Sequence, residues 1–308
     1  MNDLILHHYD GSPFAEKARL MLGFKGLAWR SVKVPSILPK PDVVALTGGY
    51  RRTPFAQVGA DVYCDTALIA RLLEARAPTP TLFPADAPLA PLFAQWADST
   101  LFWTVIPYTM QPAGMAHRFA GAPPEMLKAF AADRAPFTAG MTRQTVADAT
   151  ANLRSQLAAL EVQLAGGRAF LFGDRPSIAD FAVAHCLWFV HSGGPVAAIL
   201  APYAAIDAWV ARMRAFGHGR PEPLDSADAL AVAASAGGHA PCAVAAGLGF
   251  EAGQAVTVTP TDYGRDPVAG TLVGLGGDEV VIRRHDARAG TVHVHFPRAG
   301  FQIKQEQS

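Results

Sequence analysis

Tyr9-Asp10-Gly11-Ser12-Pro13-Phe14-Ala15-Glu16-Lys17-Ala18-Arg19-Leu20 places a hydroxyl where a short apolar strand, Leu4-Ile5-Leu6, turns into a helix. A helix N-terminus presents unpaired backbone N–H groups and the positive end of the helix dipole. A thiol bound there would lose its proton more readily. A free thiol, with a pKa of about 8.5, is mostly protonated at neutral pH, and a hydroxyl donor beside a helix N-terminus shifts it toward thiolate. The same residues fit a second role, because serine is a common N-cap and proline suits the first helical position. This stretch by itself does not choose between the two.

The elements that must position Ser12 are legible. Leu4–Tyr9 reads as a strand, Phe14, Ala18, Met21 and Leu22 recur at helical spacing, and Trp29–Val34 alternates as a second strand. Residues 35–53 are mostly loop. Phe55–Val58 and Val62–Cys64 flank Gly59-Ala60-Asp61 as a hairpin, and Leu68, Ile69, Leu72 and Leu73 mark a helix from about Thr66 to Arg76. Residues 1–77 therefore form a first, α/β domain. Pro78, Pro80, Pro84 and Pro88 mark a linker. Residues 89–235 show helical periodicity with no strand signal, which predicts an all-α domain with an apolar stripe at Leu153, Leu157, Leu160 and Leu164. From 243 to 308 four short strands separated by glycine turns predict a small β module, a barrel of SH3-like size.

Composition narrows the function. The 308 residues carry a formal net charge of zero, so neither nucleic acid nor an acidic membrane surface is an expected partner. Three separated cysteines (Cys64, Cys186, Cys242) with no CxxC fit a reducing cytoplasm. No signal-peptide pattern and no run of about 18 apolar residues is present. Enrichment in Ala, Gly and Pro is the texture of a GC-rich bacterial genome.

Ser12-Pro13-Phe14-Ala15-Glu16 together with Arg51-Arg52-Thr53-Pro54-Phe55 and Cys64-Asp65-Thr66 resembles the thioredoxin-like domain of glutathione S-transferases. The first motif is similar to the Ser-Pro-Phe of tau-type enzymes and to the Cys-Pro-Phe-Ala-Glu-Arg of omega-type ones, with serine in place of cysteine. Pro176-Ser177-Ile178-Ala179-Asp180-Phe181 is similar to the capping box of the family's helical domain. The resemblance covers about residues 4–220 and leaves the last strands outside it. It implies glutathione as cosubstrate, Ser12 as donor to its sulfur, and a cis Thr53–Pro54 bond that turns the Thr53 backbone toward the cysteinyl unit. It also implies Asp65 and Thr66 on the γ-glutamyl group. Asp65 stands where the family usually has a longer residue. Arg52, Arg51 and, more weakly, Lys40 are candidates for the glycine carboxylate. An apolar electrophile would sit between the domains, against a wall drawn from Trp96, Ser99, Phe102, Trp103, Tyr108 and Met110, and the chain would form a homodimer. Serine tilts the chemistry toward conjugation rather than thiol exchange. The alternative is a non-catalytic binding or scaffold protein on the same fold.

Other candidates read more plainly. His7 and His8 on the first strand are framework residues, and Cys64 is a small buried residue. His293 and His295 alternate on a strand and face one side, but no carboxylate lies at ligand spacing beside them, so no metal site is expected.

Overall fold

A computed structural model of the chain describes residues 3–306. It opens with β1 (Ile5–His8), α1 (Pro13–Phe24), β2 (Ala28–Lys33), α2 (Pro41–Thr47), β3 (Phe55–Val58), β4 (Asp61–Cys64) and α3 (Thr66–Arg76). β1 pairs parallel with β2 and antiparallel with β3, and β3 pairs antiparallel with β4. This is the thioredoxin-like arrangement expected. Local chemistry sets the joints. Ser12 caps α1 ahead of Pro13, and Gly48 ends α2 in the left-handed conformation at φ 77°.

The helical region follows. α4 (Ala90–Trp96), a π-helical turn (Ala97–Leu101) and α5 (Phe102–Thr109) run on without leaving helical backbone. Then come α6 (Pro112–Arg118), α7 (Pro124–Arg134), α8 (Val146–Ala165), α9 (Ile178–His191) and α10 (Ala204–Ala215). The leucine stripe of α8 is buried as its spacing predicts. The Ser177–Asp180 capping box starts α9, and Asp180 also accepts from the Leu171 N–H and the Trp209 indole. That carboxylate thus ties three segments of the core together. Among the described residues no single helix is long and apolar enough to cross a membrane.

After α10 come β5 (Arg220–Pro223) and α11 (Ser226–Ala234), then β6 (Ala255–Pro260), β7 (Val268–Leu275), β8 (Glu279–Asp286), β9 (Gly290–Pro297) and β10 (Phe301–Gln305). Two of these strands escape the sequence reading. β5 carries Pro221 and Pro223, which suppress a strand signal, and it survives because it lies at the end of the sheet beside β2, with both prolines exposed. β10 is short and follows Pro297-Arg298-Ala299-Gly300, which masks it.

The expected barrel is not formed. Among the described residues the sheet is open, with ten strands in the order β10-β6-β7-β8-β9-β4-β3-β1-β2-β5. β9 runs parallel to β4, with Asp61 opposite His293, Val62 opposite Val294 and Tyr63 opposite His295. The C-terminal strands therefore extend the first sheet instead of closing on themselves. Strand lengths and turns are visible in a sequence, but closure depends on which edges meet, and β4 offers β9 an unpaired edge. Tyr50, Phe296 and Phe301 pack ring against ring beneath this seam, and α2 and α11 cover the same core.

Candidate functional site

Ser12 is buried, with extended backbone (φ −83°, ψ 121°). Its Oγ accepts the Ala15 N–H at 3.2 Å and donates to the Thr53 carbonyl at 3.2 Å. The helix-cap role is therefore realised, and the same hydroxyl is tied to the second motif. The Thr53–Pro54 bond is cis, as the resemblance implied.

Asp65 caps α3 by accepting the Ala67 N–H at 2.9 Å. Its φ of 75° with ψ 143° lies outside the regions open to most side chains, and among the described residues it is the only non-glycine with positive φ. Such a conformation costs about 1–3 kcal/mol and concentrates at functional sites. Burial raises the Asp65 carboxyl above its ordinary range, the Ala67 N–H works against that, and Asp98 adds like-charge repulsion. A bound cation would reverse this balance. Thr66, the first residue of α3, is buried beside it.

Two chambers open on these residues. One, of about 960 Å³, is lined by Thr53, Pro54, Asp65, Thr66, Asp98 and Ser99 among others. The second, of about 910 Å³, takes in Ser12 and an aromatic wall that includes Phe102, Trp103, Phe130 and Phe137. Phe14, Arg52, Thr53 and Tyr263 line both. Tyr263 comes from the turn between β6 and β7. Its ring centroid lies 5.1 Å from that of Trp103 and 5.9 Å from that of Phe137. The Arg52 guanidinium stacks 3.8 Å from the Tyr263 ring and donates to the Asp262 carboxylate and the Tyr263 carbonyl. Arg52 is thus engaged by the C-terminal strands, while its buried Nε has no partner among the described residues.

On the wall of the second chamber, Arg51 and Arg134 both reach Asp133, at 2.5 and 2.8 Å. The Lys40 Nζ lies 3.5 Å from the Thr53 hydroxyl. Burial first, then repulsion from Arg134 and Arg51, brings Lys40 down to about 8, although Asp133 opposes this. Three cationic side chains around one carboxylate leave a surplus of positive charge facing the chamber.

A buried network was not legible in the sequence. The Lys17 ammonium, 1% exposed, donates to Asp98 at 2.5 Å, and the other oxygen of Asp98 lies 2.9 Å from the His185 Nε2. Burial alone would raise Asp98; Lys17 and His185 overcome it and hold the carboxylate below its usual range. The π-helical turn carries Asp98 into the first chamber, and such turns recur at functional sites. Lys17 follows Glu16 where the omega-type pattern has arginine, but nothing in the sequence ties it to Asp98, which stands in no recognisable motif.

The expected wall divides. Phe102, Trp103 and Met110 line the second chamber and Ser99 the first. Tyr108 instead donates to the Val196 carbonyl at 2.7 Å, and Trp96 packs against Phe93. Cys64 is fully buried and its thiol is pushed up by burial, which makes it inert.

Residues 6–81 match the family model "Glutathione S-transferase, N-terminal domain", and residues 143–212 match "Glutathione S-transferase, C-terminal domain". A GST-like protein from Pseudomonas syringae is 42% identical over 99% of this chain and 100% of its own, with a TM-score of 0.83. Glutathione transferase GSTFuA3 from Phanerochaete chrysosporium aligns over 70% of this chain and 98% of its own at 20% identity and TM-score 0.56. The theta-class enzyme from Xanthomonas axonopodis pv. citri, solved with glutathione bound, aligns over 71% and 97% at 21% identity and TM-score 0.51. The last two likenesses speak for the fold alone. A search of curated proteins returns no match.

Proposed function

The chain belongs to the glutathione S-transferase family, and we propose that it is a serine-type transferase that activates the glutathione thiol for attack on an apolar electrophile. Glutathione is the family's cosubstrate. The observation that carries the reading is that Ser12, in the second chamber, bonds Thr53, which lines both chambers, while Pro54, Asp65 and Thr66 line the first.

In this reading the γ-glutamyl group enters the first chamber. Its carboxylate meets the α3 N-terminus and the Thr66 hydroxyl. Its ammonium meets Asp65, whose burial otherwise disfavours the charge it carries. The cysteinyl unit lies along the Thr53 backbone, which delivers the sulfur to Ser12. There the Ser12 hydroxyl turns its proton from the Thr53 carbonyl to the sulfur, while the Ala15 N–H keeps polarising the Oγ. A hydrogen bond to a charged group contributes about 1.5–3 kcal/mol, which favours thiolate over thiol. The glycine carboxylate runs toward Lys40 and Arg51, where positive charge is in surplus. Tyr263 closes the aromatic chamber over the electrophile, and conjugation is favoured over exchange because serine offers no second thiol. The expected homodimer is part of the proposal; Leu89 and Leu92 are exposed and Leu92 lines the rim of the first chamber.

One observation favours the alternative, a non-catalytic scaffold on the same fold. Arg52 is held by Asp262 and Tyr263, so part of the cleft is given to the C-terminal strands. Calorimetric titration separates the readings. Binding of glutathione, with conjugation of an aromatic halide that falls about 10- to 100-fold in Ser12→Ala, supports the transferase. A folded protein giving no heat at millimolar glutathione favours the scaffold.

A further inference from the structure

We infer that Asp61, His239 and His293 form a binding site for one divalent transition-metal ion, zinc by preference, that staples the C-terminal strands to the first sheet. The three side chains come from β4, from the segment between α11 and β6, and from β9. One donor atom from each lies within 4.8 Å of the other two. None of the three lines either chamber, so this site is separate from the cleft.

The geometry argues for a ligand. The Nδ1 atoms of His239 and His293 are buried and have no hydrogen-bond partner among the described residues, and His293 as a whole is only 9% exposed. Both nitrogens lie beside one oxygen of Asp61, at 3.8 and 3.9 Å, too far for a hydrogen bond. The two imidazole rings stack nearly parallel at 3.7 Å, so a turn of one ring about its Cβ–Cγ bond is needed for both in-plane lone pairs to meet on one ion. Two unpaired buried nitrogens beside a buried carboxylate are costly unless something joins them. A tetrahedral zinc ion with bonds of about 2.0–2.1 Å sets its donors about 3.3 Å apart. Each Asp61–histidine separation then needs to shorten by only about half an ångström.

The surroundings are those of a supported ligand set. The second Asp61 oxygen accepts the Ala240 N–H at 2.9 Å, which fixes the loop that carries His239. His295 donates its Nε2 proton at 2.9 Å to the same Asp61 oxygen that faces the two histidines, leaving that oxygen's other lone pair for the ion, and its Nδ1 lies 2.5 Å from Glu279. This Glu279–His295–Asp61 chain orients the carboxylate as outer-shell partners of metal ligands do. Each metal-facing ring then carries its proton on Nε2 and offers the Nδ1 lone pair. Two imidazoles and one carboxylate select a borderline ion such as Zn²⁺ or Co²⁺ over the oxygen-seeking Ca²⁺ and Mg²⁺. His239 is partly exposed, so water can complete the fourth position.

The test uses the full-length chain carrying Cys242→Ser, because Cys242 is an exposed thiol able to take metal itself. After treatment with EDTA, the protein is titrated with Zn²⁺ against a chromophoric chelator and, separately, with Co²⁺ followed by visible absorption. The expected result is one equivalent of Zn²⁺ and the intense bands of four-coordinate Co²⁺. His239→Ala, in a loop, leaves the circular dichroism unchanged and abolishes the Co²⁺ bands. His295→Asn weakens Zn²⁺ by about 10- to 100-fold. A folded parent that binds no stoichiometric Zn²⁺ overturns the inference. So does undiminished binding in both His239→Ala and His293→Ala.

Discussion

The Ser12 cleft and the seam between β4 and β9 are built in opposite ways. The cleft is made of contiguous motifs, each also a local structural device: a helix cap at Ser12, a turn at Thr53-Pro54 and a second cap at Asp65. The seam is made of residues far apart in the chain that have no local task. Asp61 begins a short strand, His293 sits mid-strand, and His239 lies in a connecting loop. The contrast teaches that chemistry housed at helix termini announces itself locally, whereas chemistry housed between strands depends on pairing.

The largest expected effect breaks the seam. Phe296 is fully buried against Tyr50 and Phe301, so Phe296→Ala costs about 3–5 kcal/mol. Because one sheet runs through both regions, urea unfolding followed by fluorescence and circular dichroism should remain a single transition that shifts as a whole. Two transitions, only one of which moves, would make the C-terminal strands an independent unit.

A second effect sits on the face of the sheet that α2 and α11 cover. The Gln57 amide nitrogen donates to the Gly59 and Ala229 carbonyls, so its oxygen faces the His7 Nε2 at 2.8 Å, which therefore carries the proton. Burial, opposed by this hydrogen bond and by Asp42, lowers His7 to about 4. The unfolded chain, with an ordinary histidine near 6.5, binds the proton more readily. The stabilisation is therefore fully present above about pH 6.5 and is lost as pH falls through about 4. It amounts to about 3 kcal/mol, and His7→Gln should flatten that part of the acid-side fall in urea midpoints.

The smallest effect tests where the two regions touch. Tyr263→Leu removes the stacking on Arg52 and should cost about 0.5–2 kcal/mol in thermal unfolding. In steady-state kinetics it should raise KM for the electrophile more than KM for glutathione. An equal change in both would remove Tyr263 from the aromatic chamber's role.

How far each region was legible follows from the same contrast. The element order of the first domain, the α8 stripe and the Ser177–Asp180 box were readable, because caps, periodicity and motifs are written in neighbouring residues, whereas the cis Pro54 was implied by the family resemblance alone. The Lys17–Asp98–His185 network was not, since its members meet only when α1 packs on the helical region. His293 and His295 were seen to share a face, but the carboxylate they lacked was Asp61, delivered by the parallel pairing of β4 with β9. The open sheet was missed for that reason too. Arg52 is a candidate for the glycine carboxylate on the resemblance, and nothing near it in sequence reveals its bonds to Asp262 and Tyr263.

The central claim is that Ser12 lowers the pKa of a glutathione thiol held in this cleft, and ultraviolet absorbance of the thiolate, followed against pH on the glutathione complex, tests it most directly. The account predicts that bound glutathione ionises well below the free-thiol value of about 8.5, and that Ser12→Ala, still binding glutathione by calorimetry, moves the midpoint back up. A bound thiol that titrates at the same pH in both proteins would contradict it.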